Sequence, residues 1–588
     1  MIVPMKKATM LFEAGDAEAT VRYLRTLGVL HVEHQNPPES RDIDALQERV
    51  ALIDSALDVL RTVMAEQKPR QPQKQVTGDG MAAAHHIVEL GRRREERESS
   101  SRNILSRISE WEPWGDVDLH RIQHLASHGI HLKLYQVPVS ELGNFPGDVV
   151  VKTIFTAGNI AHCVAISRRE FACGFPEILP PKEPLSVLKQ RLIEQRDAME
   201  SLRGEILEAT TLHDDLSGIR GGLEKEIEFQ QVLSGMGQGG AIRYVTGYIP
   251  FDREGHLVEE ARSRKWGILI TEPVEEDNVP TLIRNPSWVG MIRPVLGLLG
   301  LTPGYHELDV SPLFLIFFSI FFGILIGDAG YGLVYLLMTA VLQRTLLRDP
   351  EMRPIVSLFY LLGSCAVVWG VLTGTFFGQE WLQSLGYQPL VPQLNDAGFM
   401  QSFCFFLGAL HLSIAHSWRA ILKFPALTAL ADVGWICVLW TAFLLARTLI
   451  LGVAFPGWGL WLIGAGLLLV IFFTSPQASV VRTVGSGLGT VALSLVSNFT
   501  DVISYIRLFA VGLATVAIAE TTNTLGAGFG EGIADLVAGI VIVFIGHGLN
   551  IILGPMSVLV HGVRLNVLEF SGHANVTWSG VAFEPLKE

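Results

Sequence analysis

Arg507 stands near the centre of a 38-residue apolar stretch, 488–525, with Ile506 and Leu508 beside it. An arginine at mid-helix costs ~2.5–3.5 kcal/mol on insertion scales, so it persists only where it faces water, protein or a counter-charge. The chemistry open to it is electrostatic, since an opposite charge within ~4–6 Å lowers a carboxyl pKa by ~1–3 units. The plain structural alternative is a buried ion pair. Asp501 and Glu520 lie six and thirteen residues away. Neither stacks on Arg507 along its helix, so a counter-charge must come from another helix. A second apolar stretch, 533–568, carries His547, Asn550, His561 and Arg564 and runs into Glu569. Two histidines, an amide and an arginine at spacings of three and four read as a polar track. Arg564 lies close to the end of its stretch, where arginine side chains commonly snorkel.

The elements that must position these residues follow from composition. The chain has 588 residues and a formal net charge of −13. Residues 1–300 hold 78 charged side chains and residues 301–588 only 25. We therefore expect a cytoplasmic domain over 1–300 and a membrane domain over 301–588. Lys6 and Lys7 interrupt the opening residues before a long apolar core can form, so a cytoplasmic amino terminus is expected. Five scattered cysteines exclude a disulfide scaffold. The acidic balance makes nucleic acid an unexpected partner. There is no Gly-x4-Gly-Lys-Ser/Thr loop, paired Cys-x2-Cys or nucleophile elbow. No catalytic residue, cofactor or metal site is expected. Gly235–Gly240 reads as a turn, and His85-His86 as solvated surface.

In the first half, strands are expected at 6–12, 29–34, 131–138, 148–155, 161–167, 242–249 and 267–271, with helices at 16–27 and 255–264. Apolar positions at 3-or-4 spacing run through about 41–111, with a break at Pro69–Gly80, and through 183–235. The two segments are expected to pack antiparallel as a long coiled-coil arm, its seam interrupted at His213 and Arg220. Two ordinary amphipathic helices are the alternative.

In the second half, apolar blocks run over 312–343, 355–377, 402–422, 433–455, 458–474, 488–525 and 533–568. As one helix, 312–343 would reach ~48 Å, against a ~30 Å hydrocarbon core. Gly327-Asp328-Ala329-Gly330-Tyr331-Gly332 inside it favours a break, giving eight transmembrane helices. The positive-inside rule agrees. Arg344, Arg348 and Arg353, then Arg419 and Lys423, then Arg482 fall in inner loops, whereas Glu380, Asp396 and Glu531 fall in outer ones. Both termini then face the cytoplasm. The last two blocks are long enough to require tilt or kinks.

Phe499–Ala514, with Arg507 inside it, closely resembles the penultimate helix of the membrane a subunit (subunit I) of V-type and archaeal A-type rotary ATPases. Gly546–Asn550 and Val560–Phe570 resemble that family's last helix, 327–332 its first membrane hairpin, and Gly247–Pro250 its strand closing the soluble domain. The resemblance implies a non-catalytic stator beside a rotating ring of proteolipid subunits, with two offset half-channels leading a proton or sodium ion to the ring carboxylate. It implies that Arg507 is the essential arginine and Arg564 its companion. Asp501, Glu520, His547, Asn550, His561, Glu569 and Asp328 become candidates for half-channel or polar support. Implied partners are the ring, peripheral stalk subunits, a central stalk subunit over the ring, membrane lipid and, indirectly, the catalytic head. The length points to a prokaryotic, plasma-membrane form. Where eukaryotic members carry membrane glutamates this chain has Leu493 and Gly554, and where they carry a histidine it has Thr515. A stand-alone secondary transporter is the alternative, but internal repeats, its usual mark, are absent. A receptor with a signalling coiled coil would not need a central arginine.

Overall fold

Ala8, Met10 and Phe12 are buried at every second position of the first strand, β1 (Met5–Glu13), while Leu11 and Glu13 face out. That period of two is the sheet signature expected of the opening residues. A computed structural model describes residues 1–66, 79–180, 183–345, 349–378, 386, 388–477, 479–528, 530 and 532–587. Glu380, Arg348, Glu531 and most of the break at 69–80 lie outside the described residues. Two units form, one from 12–28, 34–245 and 586–588, the other from 1–11, 29–33 and 246–585.

The first of these units is mainly helical. It contains α1 (Ala17–Leu27), α2 (Arg41–Glu66), α3 (Gly80–Trp111), α4 (Leu119–Ser127), α5 (Leu185–Ala209) and α6 (His213–Gly235). Lys189 meets Glu112 at 2.7 Å, and Arg97 meets Gln195 at 3.2 Å, so α3 and α5 run in opposite directions. Ile53, Leu57 and Leu60 of α2 share a core with Leu216 and Leu223 of α6, beside an Asp54–Arg220 ion pair at 2.5 Å. A 3-10 turn over Thr210–Leu212 separates α5 from α6, next to His213. Strands β3 (His131–Pro138), β4 (Val150–Ala157), β5 (Ile160–Ser167) and β6 (Glu177–Ile178) form a sheet in the order β4-β5-β3-β6. His85 and His86 are exposed on α3.

In the other unit, β2 (His31–Glu33), the later part of β8 (Ile242–Pro250), β1 and β9 (Gly267–Thr271) lie side by side in that order, while β7 (Gly237–Gly239), in the first unit, pairs with the first residues of β8. α7 (Glu254–Ser263) joins β8 to β9. Lys7 donates to Asp277 at 2.7 Å, and this bond holds the Asp277 carboxyl below its ordinary range. The N–H of Met5 reaches the Tyr305 hydroxyl at 2.9 Å, tying the sheet to the segment that leads into the apolar helices.

Those helices are α8 (Ser311–Ile326), α9 (Ala329–Thr345), α10 (Arg353–Thr373), α11 (Ala397–Lys423), α12 (Ala429–Leu451), α13 (Trp458–Phe473), α14 (Val480–Ser504), α15 (Ile506–Ala527) and α16 (Ile533–Ser557). Among the described residues five rods are long and apolar enough to cross a membrane: α10, α11, α12, α14 with α15, and the rod 533–574 that α16 begins. α8 and α13 are apolar but have 16 residues each, ~24 Å of helix against a ~30 Å core. The break expected near 327–332 is present. Gly327 takes a φ of +67°, which glycine tolerates, and α8 stops there. Asp328 then accepts from the N–H groups of Gly330 (2.7 Å) and Tyr331 (3.1 Å) at the start of α9.

α8 is the hub of the core, burying Phe314, Phe317, Phe318, Phe321 and Phe322. α15 comes close to it at Gly512, where a Cβ would stand 2.7 Å from the Ile324 carbonyl oxygen. Coverage is uneven. In the most apolar stretch of α12, 67% of residues are buried, against 28% for 480–527 and 11% for 533–574. The last two rods therefore leave most of their apolar surface to something outside this chain.

Candidate functional site

Arg507 is placed by a joint in its own rod. α14 ends at Ser504 and α15 begins at Ile506, with Tyr505 between. The Tyr505 ring is fully buried, and Gly408 leaves room for it. Its hydroxyl meets His411 Nδ1 at 2.8 Å, and His411 stacks on Phe317 (centroids 3.7 Å apart) and Phe570 (4.3 Å). This packed block backs the start of α15. Arg507 then makes two fixed contacts. Its Nε donates to the Ser504 carbonyl at 3.0 Å, and Nη2 donates to the Glu569 carboxylate. Among the described residues Nη1 has no hydrogen-bond partner.

Glu569 is thus the counter-charge from another helix that the spacing required. The rod after α16 is widened by π turns at Val558–Gly562 and Leu565–Phe570, behind Pro555, which cannot donate in the helical ladder. Arg564 lies between the two π turns, and its Nε stands 3.7 Å from the same Glu569 oxygen. The Glu569 side chain is 6% exposed, that of Arg507 23% and that of Arg564 56%. One buried carboxylate therefore lies between two guanidinium groups, the inner held and the outer exposed.

Two cavities open along the α14–α15 rod. One, of 610 Å³, takes Thr490, Ser494, Ser497, Asn498 and Asp501 from α14, and reaches Arg419, Arg564, Glu569 and His573. The other, of 240 Å³, takes Leu508, Gly512, Val516 and Glu520 from α15, with Thr373, Thr375 and Asn395. Arg507 falls between the two sets of lining residues along the rod. The first cavity includes Arg419, in the last turns of α11, and the second Asn395, just before the start of that helix.

The remaining candidates divide among separate networks. Asp501 Oδ2 meets His573 Nε2 at 3.1 Å, His573 Nδ1 meets His416 Nε2 at 2.9 Å, and His416 Nδ1 meets Asp432 at 3.2 Å. Among the described residues Asp328 bonds backbone amides only, the third being Gly378 N–H at 2.8 Å, so it braces the turn. His547 and Asn550 do not join Arg564. His547 bridges the Tyr331 hydroxyl (2.7 Å) and Asn523 (2.9 Å), and Asn550 donates to the same hydroxyl and to the Thr515 carbonyl. His561, in the first π turn, lines neither cavity. At Gly554 a Cβ would stand 2.7 Å from the Cδ1 tip of Ile326, so a side chain there would require Ile326 to shift. Among the described residues no group of three or more His, Cys, Asp or Glu is placed to hold a metal.

Sequence reasoning missed His416, Asp432, His573, His411 and Asn523. His416, Arg419 and Lys423 recur at three and four on one helix face, a signal that was available. Asp432 and His573 were left outside apolar blocks drawn too short, as α12 begins at Ala429 and the last rod runs to Ala574.

No family model matches the chain. Over 632 residues it is 31% identical to "V-type ATP synthase subunit I 1" of Treponema pallidum (strain Nichols), covering 100% of both chains. It is 29% identical over 619 residues to "V-type ATP synthase subunit I" of Borreliella burgdorferi, again covering 100% of each. With "A-type ATP synthase subunit I" of Methanocaldococcus jannaschii it shares 24% identity over 453 residues, 69% of this chain and 64% of the relative.

Proposed function

The chain belongs to the subunit I family of V-type and A-type ATP synthases, and from that premise we propose that it is the stator that carries ions past the proteolipid ring of a rotary ATPase. The single observation that carries this reading is the position of Arg507 between two cavities on one long rod. The larger is the cytoplasmic half-channel, with Asp501, Arg564 and Glu569 on its wall. The smaller is the external half-channel, with Glu520. The ring presents its carboxylates to the sparsely covered faces of the last two rods. Ser504 and Glu569 hold two arms of Arg507, and Nη1 is left for a carboxylate that comes and goes. An arginine so placed keeps that carboxylate ionised and repels a cation crossing directly between the half-channels.

Eight helices then cross the plasma membrane, with α8, α9 and α13 short spans and both termini cytoplasmic. Residues 1–300 form the platform for peripheral stalk subunits. The central stalk and the catalytic head stand over the ring. ATP is hydrolysed or made on other chains, since this one has no phosphate loop.

Purification of the tagged chain from membranes tests the reading. Recovery of a proteolipid ring and an ATPase head that together drive ion uptake into vesicles is expected. A transport-active chain with neither would overturn it.

A further inference from the structure

The row Asp432–His416–His573–Asp501 has a proton count that does not balance at neutrality. Its three hydrogen bonds, at 3.2, 2.9 and 3.1 Å, need one proton each. Two neutral imidazoles supply two. Asp432, 1% exposed, is paired with Lys423 at 2.7 Å and Arg419 at 3.5 Å, so it ends the row as an acceptor. If each histidine gives its outer N–H to its aspartate, two lone pairs face each other at the centre. The arrangement closes only when one further proton lies between the rings. The side chains of His416 and His573 are 5% and 7% exposed, yet both line the 610 Å³ cavity beside Asp501.

We propose that His416 and His573 form a proton-loading site on the wall of the cytoplasmic half-channel, so that the ion taken up there is a proton. The proposal rests on the stator reading above. A hydronium ion in the cavity gives up its proton to the central position and leaves as water. The row then carries one positive charge between two carboxylates. Release moves protons only: the Nε2 proton of His573 passes to Asp501, and the shared proton passes from His416 to His573. Asp501 becomes a neutral carboxyl, and both histidines are neutral. Asp501 gives its proton on to cavity water on the way to the ring, which restores its charge, and the proton left on His573 Nδ1 returns to Nε2 by exchange through cavity water, which empties the central position again. Other charged groups face the row. Arg419 donates to the His573 carbonyl at 2.9 Å, Arg564 and Glu569 share the cavity, and His411 lies behind in the core. The neighbouring cations favour release over storage. A sodium ion cannot travel through imidazole nitrogens, whereas a proton can hop between them.

The test uses the assembled complex in vesicles, with ATP-driven uptake read by a pH-sensitive dye and by a sodium-sensitive dye. His416→Gln and His573→Gln keep a polar side chain but cannot carry the extra proton. Each is expected to lose at least tenfold of proton uptake at pH 8, where protons are scarce. Each should recover to within about threefold of wild type at pH 6, with ring and head still co-purifying. Equal losses at both pH values would make the histidines structural and overturn the proposal. Wild type gives a reading independent of folding: proton uptake without sodium uptake is expected, and sodium uptake would overturn the assignment while leaving the stator reading intact. Retained uptake in Arg507→Ala would instead overturn the stator reading itself.

Discussion

Arg507→Ala is expected to abolish ATP-driven ion uptake, by 100-fold or more, in a complex that still assembles. Removing the guanidinium takes away a shift of ~1–3 units on the passing carboxylate, so ~10–1,000-fold of its tendency to ionise. It also removes the barrier between the two cavities. Each elementary charge crossing is worth ~2.3 kcal/mol per 100 mV, and a direct leak would dissipate it. Arg507→Lys separates charge from shape. A lysine ammonium carries its three donors on one nitrogen and lacks the rigid fork whose separate nitrogens reach Ser504 and Glu569 and leave Nη1 free. We expect Lys to retain less than a tenth of the uptake. Ring co-purification reports assembly, and full uptake in the Lys variant would refute the geometric part.

The second large effect concerns Glu569. This carboxylate is 6% exposed and fixes the inner arginine while standing 3.7 Å from the outer one. Breaking a buried, hydrogen-bonded charge pair from one side typically costs ~2–5 kcal/mol. Even one-third of that, spent on the orientation of Arg507, approaches the 1.4 kcal/mol that corresponds to ~10-fold. Glu569→Gln should therefore lower uptake at least tenfold. Residues acting through one contact are not additive, so the double variant with Arg507→Ala should be no slower than Arg507→Ala alone. Independent, multiplying losses would show that Glu569 acts elsewhere. Because Oε2 of Glu569 has no hydrogen-bond partner among the described side chains, Glu569→Asp, which shortens the reach to both arginines, should fall between Gln and wild type.

Local patterns in the sequence carried far. Strand β3 falls at 131–138 and β9 at 267–271, as alternation and β-branched content predict. The glycine cluster at 327–332 located the break between α8 and α9, because Gly327 alone fits the left-handed position that ends α8. Lengths were less legible. The last rods run over 480–527 and 533–574, beyond the apolar blocks, because polar Thr483, Ser486 and His573 are satisfied inside the helices rather than ending them. The partner of Arg507 could be demanded but not chosen. Asp501 is nearer in sequence, yet it turns to His573, while π turns aim Glu569 at the arginine. His547 and Arg564 share a rod but not a network, because Tyr331 from α9 captures His547. Choices of this kind are tertiary, and periodicity along one helix has no access to them.

Contact between the Arg507 face and the ring is the central claim, and it can be measured directly. Ala510, Ala514 and Ala517 continue that face at three, seven and ten residues, and all are exposed. With the five native cysteines replaced, Ala514→Cys is paired with a cysteine beside the ring carboxylate, and Leu449→Cys, at an exposed position near the end of α12, serves as control. Oxidation should join Ala514→Cys to the ring and stop ATP-driven uptake until the disulfide is reduced, while Leu449→Cys stays unlinked. An intact complex in which Ala514→Cys never joins the ring, or in which Leu449→Cys joins it equally, would contradict the account.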